Sequence, residues 1–312
     1  MRKIIILIVA ILLILVFFPE LKAASIQKSI IPADAKWVVH IDMKKLTSTK
    51  LYELFMNDES TVKIRKGTDK LFKKFKFDPL KDIMGITAYG AEKDEEKTVV
   101  CFSGNIDKAY ILGLLKEEAD HQEISYGKYI IYSWDHDDFG VFVSDSLGLF
   151  SENEEAIKTA LDVIDGKKKN ISSSPMMKYV KEIPSDAFLM AVVDDISSLA
   201  GKHDKAVMLK KAGMASFAIM EKKGDVALDL KFTTGSPEDA KNVEQMIKGL
   251  VAFGNLQLKE EKDVLELLER LRISIDGNKV QMELTYPIDK LFNIISGRTK
   301  ILPSFLLGLG EL

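Results

Sequence analysis

The stretch IPADAKWVVHID, residues 31–42, has a near-echo in IPSDAFLMAVVD, residues 183–194. Ile31, Pro32, Asp34, Ala35 and Asp42 match Ile183, Pro184, Asp186, Ala187 and Asp194. Read at a two-residue period, Trp37, Val39 and Ile41 fall on one face of a strand, and Val38 and His40 on the other. Both faces are largely apolar, which predicts a strand central to a sheet. The second copy, from Phe188 to Asp194, is apolar on both faces too. The proline and aspartate pre-shape a turn into the strand. The closing Asp42 ends it and can cap the next element. The motif is therefore a strand with its punctuation, and its return 152 residues later points to a duplicated unit.

The echo continues downstream. MGITAYGAEKDEEKTVVCFSG from Met84 and MASFAIMEKKGDVALDLKFTTG from Met214 both read as strand, polar turn, strand. In the second, Val226, Leu228, Leu230 and Phe232 alternate with Ala227, Asp229 and Lys231, the pattern of a half-buried antiparallel strand. A helix follows each hairpin, with Asn105 as cap of the first and Ser236 with Pro237 opening the second. Another hairpin follows in each half, KYIIYSWDHDDFGVFVSD in one and RLRISIDGNKVQMELTY in the other. Asp276 to Asn278 is a tight-turn signal. Ser151 and Glu154 form a capping box for a helix running to about Asp165, with Gly166 behind it.

These elements predict an α+β fold of two similar repeats, each an antiparallel sheet with helices covering one face. The expected divisions are a first repeat at 24–166, a linker at 167–175, a second repeat at 176–296 and an apolar tail at 297–312. The first strand and hairpin lie about 22 residues further apart in the first repeat than in the second. The surplus, about 60–76, is basic. Lys63, Arg65, Lys66, Lys70, Lys73, Lys74 and Lys76 stand against Asp69, a net +6. Leu71, Phe72 and Phe75 lie there at helical spacing.

The N-terminus has the grammar of a secretory signal peptide. Arg2 and Lys3 precede 15 unbroken apolar residues from Ile4 to Phe18, then Pro19 and the small residues of LKAAS. A spanning helix needs about 20 apolar residues, so the run is short for a permanent anchor. Cleavage after Ala23 is expected, with a retained membrane anchor as the second reading. The mature protein is then periplasmic or secreted. Cleavage removes three basic residues and one acidic, taking the formal charge from −3 to −5. The 312 residues are 46% hydrophobic, enough for one large core or two medium ones. The mildly acidic balance gives no global basic field for nucleic acid.

The candidate chemistry is sparse. The basic stretch reads first as a solvated helix face. Its second reading is a surface for anionic lipid or an acidic protein partner. Asp135, His136, Asp137 and Asp138 crowd a hairpin turn where a divalent cation can find oxygen ligands, but the spacing is not that of a calcium loop and a solvated acidic turn fits better. His40 reads as a satisfied core histidine. The four histidines form no ligand pattern. Cys101, the single cysteine, sits in apolar company and reads as a buried inert thiol. No phosphate loop, nucleophile elbow or dinucleotide fingerprint occurs. No cofactor is implied. The tail ILPSFLLGLGEL, at 12 residues, is too short to span a bilayer.

The IPxDA entry to a strand behind a signal peptide, with FDPLKDIMGITAYG at 77–90, resembles exported bacterial proteins of unknown function that carry a repeated unit of this kind. The resemblance implies export and repetition, and no activity. The expected function is an exported non-catalytic binding or envelope-associated protein. The alternatives are an extracytoplasmic hydrolase with an unrecognised site between the repeats, and a carrier of an apolar ligand.

Overall fold

The computed structural model describes residues 26–58, 82–91, 97–118, 120–135, 137–195, 212–257 and 262–296. The signal segment 1–23, the basic stretch 63–76, His136 and the tail 297–312 lie outside them. Among the described residues are twelve strands and eight α-helices, an α+β fold. The chain divides into two compact units, Met1–Lys181 and Glu182–Leu312.

In the first unit, β1 (Trp37–Asp42) leads into α1 (Met43–Thr47) and α2 (Lys50–Asn57). Then come β2 (Ile83–Gly90), β3 (Val99–Gly104), α3 (Lys108–Leu115), β4 (Gln122–Tyr126), β5 (Tyr129–Trp134), β6 (Asp138–Ser144), β7 (Leu147–Ser151) and α4 (Glu154–Ile164). The strand order is β1-β2-β3-β7-β6-β5-β4, and every neighbour is antiparallel. Asp42 caps α1 as its sequence position predicts. Its Oδ1 accepts from the Lys45 backbone N–H at 3.0 Å, and its Oδ2 pairs with the Lys45 ammonium at 3.0 Å.

Two caps differ from expectation. Asp107, not Asn105, caps α3, accepting from the Tyr110 N–H at 3.0 Å. Asn153, not Ser151, caps α4, accepting from the Ala156 N–H at 3.0 Å. Ser151 ends β7, and its hydroxyl accepts one step earlier, from the Asn153 N–H at 3.1 Å. The helix begins at Glu154, so the residue that opens it is Asn153, and Ser151 lies two positions too early. Gly166 does stop α4, at φ +74°.

Helices stand on both faces of this sheet, not one. Ile131, Val141, Leu149 and Cys101 point to one side and are buried. Tyr126 and Tyr129 share that side and donate to Asp162 on α4 and to Asp165 at its C-terminal cap, at 3.0 and 2.9 Å. These bonds place α4 over this face, with Ile157, Ala160 and Leu161 fully buried. The α3 helix stands over the other. Strands β5 to β7 are apolar on both sides, so both sides need cover. The α5 helix (Met176–Glu182) follows the 166–175 segment, where Pro32 bridges Asn170 and Ile171 is fully buried.

The second unit holds β8 (Leu189–Val193), β9 (Ala212–Lys222), β10 (Asp225–Thr234), α6 (Pro237–Gln257), α7 (Lys262–Glu269), β11 (Arg272–Asp276), β12 (Lys279–Pro287) and α8 (Ile288–Ile295). Its strand order is β8-β9-β10-β12-β11, again antiparallel. Ser236 opens α6 as expected, accepting from the Asp239 N–H at 3.1 Å. Ala240, Val243 and Ile247 of α6 pack into one cluster with Ala212, Ala215, Phe232 and Val280 of the sheet. The reverse sheet face carries Asp229, Lys231, Gln281 and Glu283.

Candidate binding site: an apolar cleft in the first unit

Strand register builds the floor of the site. Phe102 on β3 faces Gly148 on β7, which faces Phe142 on β6. One row on, Phe150 faces Gly140, which faces Tyr132 on β5. Aromatic side chains thus flank two bare glycines on one face. At Gly140 the bareness is required, because a Cβ there would stand 2.9 Å from the Trp134 ring. Trp134 lies over that gap, 5.9 Å from the Phe150 centroid. Gly148 has more room, with the nearest Phe142 atoms at 3.8 Å.

The α3 helix forms the roof with Ile111, Leu114 and Leu115. From Ala109 to Leu115 it is apolar or glycine on every side apart from the Tyr110 hydroxyl, yet none of its residues is buried. Helices that are apolar all round normally lie inside a core. Between roof and floor is a cleft of about 510 Å³.

The two ends of the cleft differ in charge. α3 begins after β3, and Lys108 at its N-terminus sits over Phe142, 5.8 Å from the ring centroid. The helix then runs toward the end of β7, the start of β6 and the end of β5. There Trp134 pairs with Asp138, and Phe139 pairs with Ser151, the neighbour of Glu152. Glu118, Asp138 and Glu152 all line the cleft. His121 stacks near this end on Tyr132, with centroids 6.0 Å apart.

A larger hollow of about 810 Å³ lies on the polar face of the second unit, lined by Asp229, Lys231, Arg270, Arg272, Gln281 and Glu283. Its polar groups already engage one another. The Lys231 ammonium meets Asp229 at 2.7 Å, and Gln281 donates to Glu283 at 3.1 Å. Self-paired charges give a ligand little to gain.

Among the described residues, one arrangement resembles a nucleophilic site. His40, Thr87 and Cys101 lie in one row across β1, β2 and β3, with His40 Nδ1 2.8 Å from Thr87 Oγ1. All three are buried, at 4%, 4% and 2% exposure, so no substrate reaches them. Burial also pushes the Cys101 thiol far up, only partly offset by a hydrogen bond with Tyr89. The thiolate is the reactive form, so this cysteine is inert.

Among the described residues, no group of three or more His, Cys, Asp or Glu side chains is placed to hold a metal ion. Asp135 and Asp137 occupy the β5–β6 turn, Asp138 opens β6, and His136 lies outside the described residues. The partner-surface candidates Lys63, Arg65, Lys66, Lys70, Lys73, Lys74 and Lys76 lie outside them as well. No described helix is long and apolar enough to cross a membrane. Sequence reasoning passed over the cleft. Its signal was the all-apolar helix 109–115 beside strands that alternate glycine with aromatic residues.

No family model matches this chain, and no curated protein matches it. Solved structures do. The chain is similar to crystal form I of TP0453, with a TM-score of 0.50 at 11% identity, over 89% of this chain and 99% of that one. Crystal form III gives 0.49 at 10% identity, over 88% and 99%. At this identity the likeness is one of fold.

Proposed function

We propose that this protein is an exported, non-catalytic binding protein whose first unit holds an apolar ligand in the cleft beneath α3. The observation that carries the reading is α3 itself, an apolar helix none of whose residues is fully buried, standing over an aromatic sheet face. Leaving such surface wet forgoes about 25 cal/mol per Å² of apolar area, and a ligand with an apolar body recovers it. A volume near 510 Å³ suits a small-molecule site, for which about 300–1,000 Å³ is usual. The test is titration of the full-length protein with the neutral fluorophore N-phenyl-1-naphthylamine. Saturable binding is expected, with loss in Leu114→Asp under unchanged circular dichroism. Absence of saturable binding to the wild type rejects the reading.

Two companion proposals rest on separate observations. The units are copies of one ancestral element. The orders β1-β2-β3-β7-β6 and β8-β9-β10-β12-β11 correspond strand for strand, with hairpin β4–β5 as an addition to the first. Export rests on the segment 1–23. Mass spectrometry of protein from a bacterial host is expected to find a mature N-terminus at Ala24, whereas an intact Met1 in membranes would support the anchor. The hydrolase alternative has only the buried His40–Thr87 pair behind it.

A further inference from the structure

We infer that the cleft beneath α3 selects an amphiphile with a positively charged, alkylated ammonium head, seated at the Trp134 end with its chain running toward Phe142. This rests on the cleft being a ligand site at all, as proposed above, and adds which chemistry fills it.

The argument is one of polarity along the cleft. At one end Glu118, Asp138 and Glu152 converge with Trp134 and Phe150. Carboxylates beside aromatic faces suit an alkylammonium group, whose diffuse charge is attracted by ring quadrupoles as well as by anions. At the far end the side chains are Phe102, Phe142 and Ile106, which offer an alkyl chain contact and no hydrogen bond. Of the lysines at the two ends of this helix, Lys116 pairs with Glu123 at 3.7 Å, and Lys108 lies over Phe142 at that far end. Lys108 is separated from Glu118 by the whole length of α3, roughly 12 Å at 1.5 Å per residue, beyond a Debye length in physiological salt. An anionic head at the Trp134 end would meet three carboxylates, and an uncharged head would gain nothing from them.

The experiment is competition against bound N-phenyl-1-naphthylamine on the full-length protein, with three ten-carbon chains below their micelle concentrations. The competitors are decyltrimethylammonium, decyl glucoside and decanoate. Decyltrimethylammonium is expected to displace the probe at about tenfold lower concentration than decanoate, with the glucoside between them. In Glu118→Gln/Glu152→Gln the ratio is expected to fall toward one, with thermal unfolding as the check on its fold. High salt is expected to shrink the ratio in the wild type. Equal potency, a preference for decanoate, or a ratio untouched by the double substitution overturns the head-group inference while the apolar-cleft reading stands. Failure of the probe itself to bind overturns both.

Discussion

Phe102 and Phe232 both lie on the second strand of a hairpin, the third strand of its unit counted from β1 and β8 respectively. Their fates differ. Phe232 is 7% exposed and locked among Ala240, Val243 and Ile247 of α6. Phe102 lines a cleft that α3 roofs without burying any residue of its own. The helix that follows the hairpin explains the divergence. α6 has 21 residues, with small and β-branched side chains at its contact positions, and seats directly on the sheet. α3 has eight residues, and bulky aromatics hold it off the floor. One topology therefore yields a filled core in one unit and a cleft in the other.

The contrast is most exposed to failure in a pair of truncations. Phe232→Ala is expected to cost about 3–5 kcal/mol, the usual figure for an aromatic removed from a packed core. Phe102→Ala is expected to cost only about 1 kcal/mol, because its surroundings are already open. Urea unfolding of both variants measures the difference, and equal losses would mean that the cleft is closed core.

Smaller effects are expected at the glycines of the cleft floor. Gly140→Val forces a Cβ into the Trp134 ring and is expected to cost about 1–3 kcal/mol through overpacking. It should also shift the tryptophan emission and weaken probe binding. Gly148→Ala meets only ordinary contacts at 3.8 Å and should leave both readouts in place. If the two substitutions behave alike, Trp134 does not rest on the sheet at Gly140.

Cys101 tests whether the face beneath α4 is as closed as the cleft face is open. Its thiol is expected to resist a disulfide reagent in the native protein. Labelling should proceed only as fast as the unit opens, so its rate should follow urea dependence. Rapid labelling without denaturant would contradict the burial.

The smallest effect distinguishes the units by pH. Lys167 and Lys128 hold Asp162 and Asp165, respectively, below their ordinary value of 3.8. A carboxylate depressed in this way stabilises the fold above its ordinary value. That contribution fades as pH falls from about 3.8 through the lower folded value. Amide exchange in hairpin β4–β5, tied to α4 through Tyr126 and Tyr129, should quicken in that window. Glu266 in the second unit is depressed by Lys290 and then Arg270, from an ordinary 4.5, so the α7–α8 contact should begin to loosen at slightly higher pH. These are exposed pairs, and the expected change is local exchange without global unfolding.

Much of the strand framework was legible in the chain. Alternation in Val226–Phe232 marked β10, the DGN turn joined β11 to β12, and Asp42 announced both the end of β1 and the cap of α1. These signals are local, set by side-chain period and by backbone groups within three or four residues. The α3 and α4 caps were each misplaced by two residues, since Asn105 and Asp107, or Ser151 and Asn153, are equally good acceptors on paper. Which one caps depends on where the strand before it stops pairing. The cleft was not legible. Nothing local sets Tyr132, Phe142 and Phe150 apart, and only their register against Gly140 and Gly148 turns them into a floor.

The sequence by itself determined an α+β chain with a recurring strand-and-hairpin grammar, a single cysteine in apolar company, and no motif of known catalysis. Those properties follow from composition and short-range periodicity. The tertiary structure alone decided that one post-hairpin helix would fill its sheet and the other would leave a cleft beneath it. It also decided that Glu118, Asp138 and Glu152, spread over 35 positions of sequence, would line the same hollow. The physical reason is that a cleft is unfilled volume between elements. That volume depends on how the bulk of Phe102, Trp134 and Phe150 adds across neighbouring strands, and strand order brings those residues together where sequence separation does not.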